Sequence, residues 1–182
     1  MITKIFIENL IDDIHQKAHM AATSPLNDLS DPTERQIKYG NYRKGHVRLH
    51  GMDISIENPK GSTRRGIGDD GNPWERELHH HYGYIKGTIG NDKDHLDTFI
   101  GDNPDSDKAF IINQNKADGS FDEHKTMIGF NNYSDALHGY LANYPDNWDN
   151  NRIDSVHCLN MDNFKQWAFD KTNKRRKFRG LP

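Results

Sequence analysis

One cysteine in 182 residues, Cys158, leaves no partner for an internal disulfide and excludes a zinc site built on cysteine ligands. Apolar side chains are scarce too, at 33% of the chain, and no run approaches the roughly 18–20 residues that a membrane-spanning helix requires. The mean hydropathy of −0.99 agrees. Charge of one sign is also missing: 24 Lys and Arg stand against 27 Asp and Glu, a formal net charge of −3. So even a balance excludes the global field of a polyanion-binding protein. It also excludes the self-repulsion that keeps chains poor in apolar residues unfolded. With 10% aromatic residues, the expectation is one folded domain over residues 1–182, with a modest core and long polar loops. Glu8, Asp12 and Asp13 stand where an export signal needs an apolar stretch, so a cytoplasmic protein without membrane contact is expected.

Periodicity supplies the elements. Ile7, Leu10, Ile11, Ile14, Ala18 and Ala21 recur at helical spacing. Asp31-Pro32-Thr33-Glu34 has the capping Asp, the first-turn Pro and the third-position Glu of a helix start, and Gly40 can end that helix. Residues 1–40 thus read as a helical extension. From His46 the period falls to two, with Val47, Leu49, Ile54 and Ile56 alternating with polar residues around Gly51. Short apolar segments follow at 82–88, 96–100, 109–112 and 126–130. Helical spacing returns at 133–144 and again at 161–171, with a strand segment at 155–159 between them. The fold class is α+β: at least five strands in a small closed or partly closed barrel, because short strands between turns must hide their edges. Residues 41–170 form the body and 171–182 a tail.

The chemistry concentrates in Asp92-Lys93-Asp94-His95-Leu96-Asp97. Three carboxylates within six residues crowd hard oxygen donors, which suit Mg²⁺ or Mn²⁺ rather than zinc. Without a cation, mutual repulsion would raise one or more of their pKa values. A solvated acidic turn explains the spacing about as well. A calcium loop fits worse, lacking the sixth-position Gly and the closing Glu. The surroundings add parts needed for metal-assisted phosphoryl transfer: Tyr82-Gly83-Tyr84-Ile85 upstream, Glu57-Asn58-Pro59 at the end of the first β segment, and Asp118-Gly119-Ser120-Phe121-Asp122-Glu123-His124-Lys125 downstream.

From Gly40-Asn41-Tyr42-Arg43-Lys44-Gly45-His46-Val47 to about Trp167, the chain resembles the soluble inorganic pyrophosphatases, most closely the pyrophosphatase-like domain of phage and prophage proteins. The Tyr-Gly-Tyr-Ile stretch followed by Asp-x-Asp-x-x-Asp carries the match, and the spacing of Asp118, Glu123 and Lys125 agrees independently. The resemblance implies a five-stranded barrel of the oligonucleotide-binding type, Mg²⁺ (or Mn²⁺) as cofactor, pyrophosphate as substrate and assembly into homo-oligomers. It implies metal ligation by Asp92, Asp97, Asp118 and Glu123, a general base in Asp94, and a hydrogen bond from Tyr82 near the attacking water. It also places Lys125 beside the metals, Glu57 at the edge of the site and Tyr144 on the product phosphate. The chain departs from the family in four places. Lys93 replaces a Gly, straining the turn or adding a cation. Gly61-Ser62-Thr63-Arg64-Arg65-Gly66 replaces a Lys and a Glu, leaving Arg64 or Arg65 to hold phosphate. Arg76 lies closer to the Tyr-Gly-Tyr stretch than the family's Arg, and Pro145 replaces a Lys.

The expected function is Mg²⁺-dependent hydrolysis of pyrophosphate to two phosphates by metal-activated water. Hydrolysis of another phosphoanhydride, such as a nucleotide or signalling nucleotide, is the first alternative, and a non-catalytic polyanion-binding module the second. His79-His80-His81 reads as structural, because successive strand residues point to opposite faces. Trp74, Trp148, Tyr84 and Tyr140 read as packing residues and Cys158 as a core thiol. Residues 171–179 hold six basic side chains, a solvated end in preference to a weak nucleic-acid contact. Arg43 and Lys44 could reach substrate phosphate on charge alone.

Overall fold

A computed structural model describes residues 14–18, 35, 45–68, 71–145, 148, 150–172 and 176–181. Its elements run β1 (His46–Leu49), β2 (Met52–Asn58), β3 (Thr63–Ile67), β4 (Pro73–Glu77), β5 (His81–Ile85), β6 (Leu96–Ile100), β7 (Lys108–Asn115), β8 (Phe121–Ile128), α1 (Tyr133–Leu141), β9 (Ile153–Asn160) and α2 (Met161–Phe169). The chain is α+β, as the periodicity indicates. Nine strands are present where at least five were expected, and they lie in two sheets among the described residues, with no closed barrel. Seven strands form one sheet in the order β1-β2-β5-β6-β8-β7-β9, and β3 and β4 form a separate two-stranded sheet. Among the described residues no ladder joins β1 to β9. Residues 14–18 are helical. The remainder of the helical extension, apart from Arg35, lies outside the described residues, as do Arg43 and Lys44.

Strand parity places the core. In β5–β6, Tyr82 stands opposite Phe99 and Ile85 opposite Leu96, on alternate faces. One face gathers Ile54, Ile85, Leu96, Ile100, Ile111 and Ile128 under α2, whose Phe164, Trp167 and Ala168 are buried. The other gathers Tyr82, Phe99, Phe110, Ile112 and Met127 under α1 through Ala136 and Tyr140. Asn132 and Asn160 cap α1 and α2, each accepting the backbone N–H three residues on. A sheet covered on both faces needs apolar residues at successive positions, and Phe110-Ile111-Ile112 supplies them.

Antiparallel ladders dominate, but β6 and β8 pair in parallel, Asp97 opposite Lys125. Gly83 lets β2 approach β5 closely, since a Cβ there would stand 1.8 Å from the Ser55 carbonyl oxygen. The β2–β5 register shifts between Ile56 and Asn58, so Glu57 is the bulged residue, a position whose side chain is re-aimed.

Two further expectations change. Cys158 is exposed because β9 is the last strand of its sheet, with a neighbour only in β7 among the described residues. The tail is not simply solvated: Phe178 is buried, its backbone N–H and carbonyl both bonded to the Asn113 side chain, and Lys177 and Arg179 pair with Asp154 at 2.5 and 3.2 Å. No helix among the described residues is long and apolar enough to cross a membrane.

Candidate active site

The second face of the sheet carries Asp97 and Phe99 on β6 and Glu123, Lys125 and Met127 on β8. At one end the apolar residues of this row give way to charge. Lys125 is buried, with its Nζ 2.5 Å from Asp97 Oδ2 and 2.9 Å from Glu123 Oε1. Parallel pairing sets Asp97 opposite Lys125, and period two sets Glu123 beside it. Tyr82, on β5, donates its hydroxyl to Asp97 Oδ2. The same hydroxyl oxygen accepts from Lys125 Nζ at 3.3 Å and from Arg64 Nη2 at 3.1 Å, which uses its one donor and both acceptor positions.

Arg64 comes from the β3–β4 hairpin. Its guanidinium lies 4.1 Å from the Tyr82 ring centroid and 5.6 Å from that of Trp74, a cation stacked between aromatic faces. Strand alternation sends Arg65 the other way, to an exposed ion pair with Glu75 at 2.5 Å. Of the two arginines the sequence offers, Arg64 reaches Tyr82 and Arg65 points away from it. Arg76 stands directly opposite Arg64 in the hairpin register. The hairpin itself escapes the sequence pattern, because Thr-Arg-Arg-Gly-Ile and Pro-Trp-Glu-Arg-Glu alternate without an apolar face.

Charge is unevenly shared. Burial opposes ionisation of Lys125, but Asp97, Tyr82 and Glu123 hold its pKa well above the usual value. Burial likewise opposes ionisation of Asp97, yet the charge and hydrogen bond of Lys125, with Tyr82 and Arg64, keep its carboxyl below the ordinary range. Glu123 goes the other way: burial pushes its pKa up, and the attraction of Lys125, opposed by repulsion from Asp97 and Asp122, does not bring it back. Burial raises the phenols of Tyr82 and Tyr144, so both stay protonated.

The remaining acidic residues sit apart from this cluster in turns. Asp92 Oδ1 accepts the Asp94 N–H at 3.0 Å, and Asp94 Oδ1 accepts the His95 N–H at 2.7 Å. Lys93 between them has φ +73°, the left-handed region that a glycine adopts without strain, so the lysine that stands in place of Gly in the motif is held in a strained backbone. Asn91 Nδ2 donates to the Asp122 carbonyl at 2.6 Å, tying the turn to β8. Asp118 lies in the β7–β8 turn, exposed, its Oδ1 accepting from Ser120 N and Oγ at 2.9 and 2.6 Å. Those hydrogen bonds hold its carboxyl below the usual range.

Hard carboxylate oxygens are the donors that Mg²⁺ takes, and Asp97 and Glu123 present two carboxylates around the single ammonium of Lys125. In kind, the residues fit a divalent cation. Among the described residues, however, no three His, Cys, Asp or Glu side chains are already gathered as ligands about one point. Asp97 and Glu123 meet at an ammonium group instead.

The structure therefore brings together Tyr82, Asp97, Glu123, Lys125 and Arg64. Glu57 and Tyr144 are close enough that each acts on the charge of Arg64. Tyr144 lies three residues beyond the end of α1 rather than within the helix, stacked on Trp148 at 4.2 Å between centroids. Asp92, Asp94 and Asp118 remain on loops. Trp148 is more than packing, since its Nε1 donates to Tyr140 at 3.2 Å and its ring lies under Arg152 at 4.7 Å. Gln114 and Asp122 also border the cluster. The signal for Gln114 was a polar residue in phase with Phe110 and Ile112 on a buried strand face.

The family model for inorganic pyrophosphatases matches residues 34–169, about three-quarters of the chain. The protein belongs to that family. No curated protein sequence matches the chain.

Proposed function

We propose that the protein is a Mg²⁺-dependent inorganic pyrophosphatase that hydrolyses pyrophosphate to two phosphates. The observation that carries this reading is the cluster of Asp97, Glu123 and Arg64 around the buried Lys125 and Tyr82, in a chain of this family. Asp92, Asp97, Asp118 and Glu123 would hold the metal. Bound there, Mg²⁺ neutralises the phosphoanhydride and lowers the pKa of the attacking water.

The chain supplies the rest. Arg64 and Lys125 bind and orient phosphate oxygens, which need charge-assisted donors as negative charge shifts to the leaving group. Tyr82 fixes Asp97 and Lys125 in one geometry through its three hydrogen bonds. Asp94 has Oδ1 held by the His95 N–H, leaving Oδ2 to accept the proton of the attacking water. The water oxygen forms the new P–O bond, the bridging P–O bond breaks, and the departing phosphate carries away the bridging oxygen.

Phosphate release from pyrophosphate, with and without millimolar Mg²⁺, tests the reading on the unaltered chain beside Asp97→Asn. Metal-dependent turnover that Asp97→Asn abolishes is the expected result. Absence of turnover in the unaltered chain with Mg²⁺ bound would set pyrophosphate aside and direct a substrate panel to nucleotide phosphoanhydrides.

A further inference from the structure

Gln114 is 5% exposed and stands opposite Glu123 in the β7–β8 ladder, where the register shifts against both β8 and β9. Its amide uses both ends twice. Oε1 accepts the hydroxyl protons of Tyr140 at 2.7 Å and Tyr144 at 2.9 Å. Nε2 donates to Asp122 Oδ2 at 3.1 Å and to Glu123 Oε1 at 3.3 Å. Only one orientation serves, since turning the amide over would set its oxygen against two carboxylates. Tyr140 is fixed in turn, accepting from Trp148 Nε1. One neutral side chain therefore joins two acids on β8 to two tyrosines from the α1 side of the molecule.

We infer that Gln114 is a positioning residue of the active site, setting Glu123 for the metal and Tyr144 for phosphate at once. The inference rests on the pyrophosphatase reading above. Because its amide spans the gap between β8 and the tyrosines, neither partner can shift without breaking a bond to the other. The arrangement also holds the Tyr144 hydroxyl in place through Gln114 Oε1, from which it can turn to donate to a phosphate oxygen.

The test compares Gln114→Met and Gln114→Glu with the unaltered chain. Mg²⁺ binding is read by calorimetry without substrate, and kcat and KM for pyrophosphate are read at saturating Mg²⁺. Gln114→Met removes all four hydrogen bonds, so Mg²⁺ binding is expected to weaken about tenfold and kcat/KM to fall about 10- to 100-fold, as when groups that orient metal ligands are lost. Gln114→Glu keeps an acceptor for both tyrosines but loses the donor to Glu123, so kcat falls while KM stays within about twofold. A side chain that only fills space would not separate KM from kcat in this way. Mg²⁺ affinity and kcat/KM within about twofold of the unaltered chain in Gln114→Met overturn the inference. So does a Gln114→Glu variant whose KM rises as far as that of Gln114→Met. If Gln114→Met does not fold by circular dichroism, Gln114→Glu decides alone, by whether kcat falls with KM held. An unaltered chain that binds Mg²⁺ without splitting pyrophosphate overturns the functional reading and leaves this inference to calorimetry. A chain that binds no Mg²⁺ overturns both.

Discussion

The five acidic residues proposed for the site fall into two groups that differ in what already holds them. On the strands, Asp97 and Glu123 share the buried ammonium of Lys125, and Asp97 also takes the Tyr82 hydroxyl. On the loops, Asp92, Asp94 and Asp118 are exposed, each tied only to the backbone or hydroxyl of its own turn. The strand acids are part of how the sheet holds together. The loop acids contribute little to the fold, and their second oxygens can take new partners at small cost. Adjacent positions in one motif thus serve different ends, and the boundary between them is the start of β6.

That contrast can be tested at its strongest point by Lys125→Met. Removing one partner of a buried ion pair leaves the other charges uncompensated, so unfolding by denaturant should show a loss of about 3–5 kcal/mol. A loss below about 1 kcal/mol, the scale of an exposed pair, would erase the distinction. Asp94→Asn makes the opposite demand. Turnover of pyrophosphate should drop about 100-fold or more, as for a lost general base, while denaturant stability stays within about 0.5 kcal/mol of the unaltered chain.

Acid sharpens the comparison further. The folded-state pKa of Asp97 is held below its ordinary value of 3.8, so its contribution is fully present above that value and is lost as pH falls through its own lower pKa. Stability of the unaltered chain should therefore decline below about pH 4 more steeply than that of Asp97→Asn. Equal slopes in parallel thermal melts would mean that Asp97 is not held as the geometry indicates. The smallest effect is expected at Lys93→Gly, where relief of the left-handed backbone should exceed the extra unfolded-state entropy of glycine and stabilise the fold by about 0.5–1 kcal/mol. A destabilised Lys93→Gly would show that the turn depends on the lysine itself.

Much of the body was legible because parity and helical spacing are local. Leu96–Ile100 appears as an apolar segment and is a strand with those bounds, and Ala136, Tyr140, Phe164 and Trp167 point inward as their spacing requires. The β3–β4 hairpin was not legible, because its faces are distinguished by Arg64 and Trp74 against Arg65 and Glu75, all polar or amphipathic. Cys158 read as a core thiol because an apolar-flanked strand looks alike in the middle of a sheet and at its edge. Nothing in the Asp-x-Asp-x-x-Asp pattern distinguishes Asp97, which pairs with Lys125 on β8, from Asp92 and Asp94, which accept backbone N–H groups of their own turn. That difference depends on Lys125, 28 residues away from Asp97.

The parallel pairing of β6 with β8 also has a consequence for the order of events in folding. The β7–β8 hairpin closes over a short turn, a local contact that forms early. Asp97 gains Lys125 only when that hairpin swings in and β8 docks on β6, a contact whose loop-closure entropy must be met first. A nascent chain synthesised as far as Ile100 carries the whole aspartate motif before its counter-charge has been made. The motif is finished before the cluster exists, so the proposed activity would report the completed sheet and not any earlier, partly assembled form.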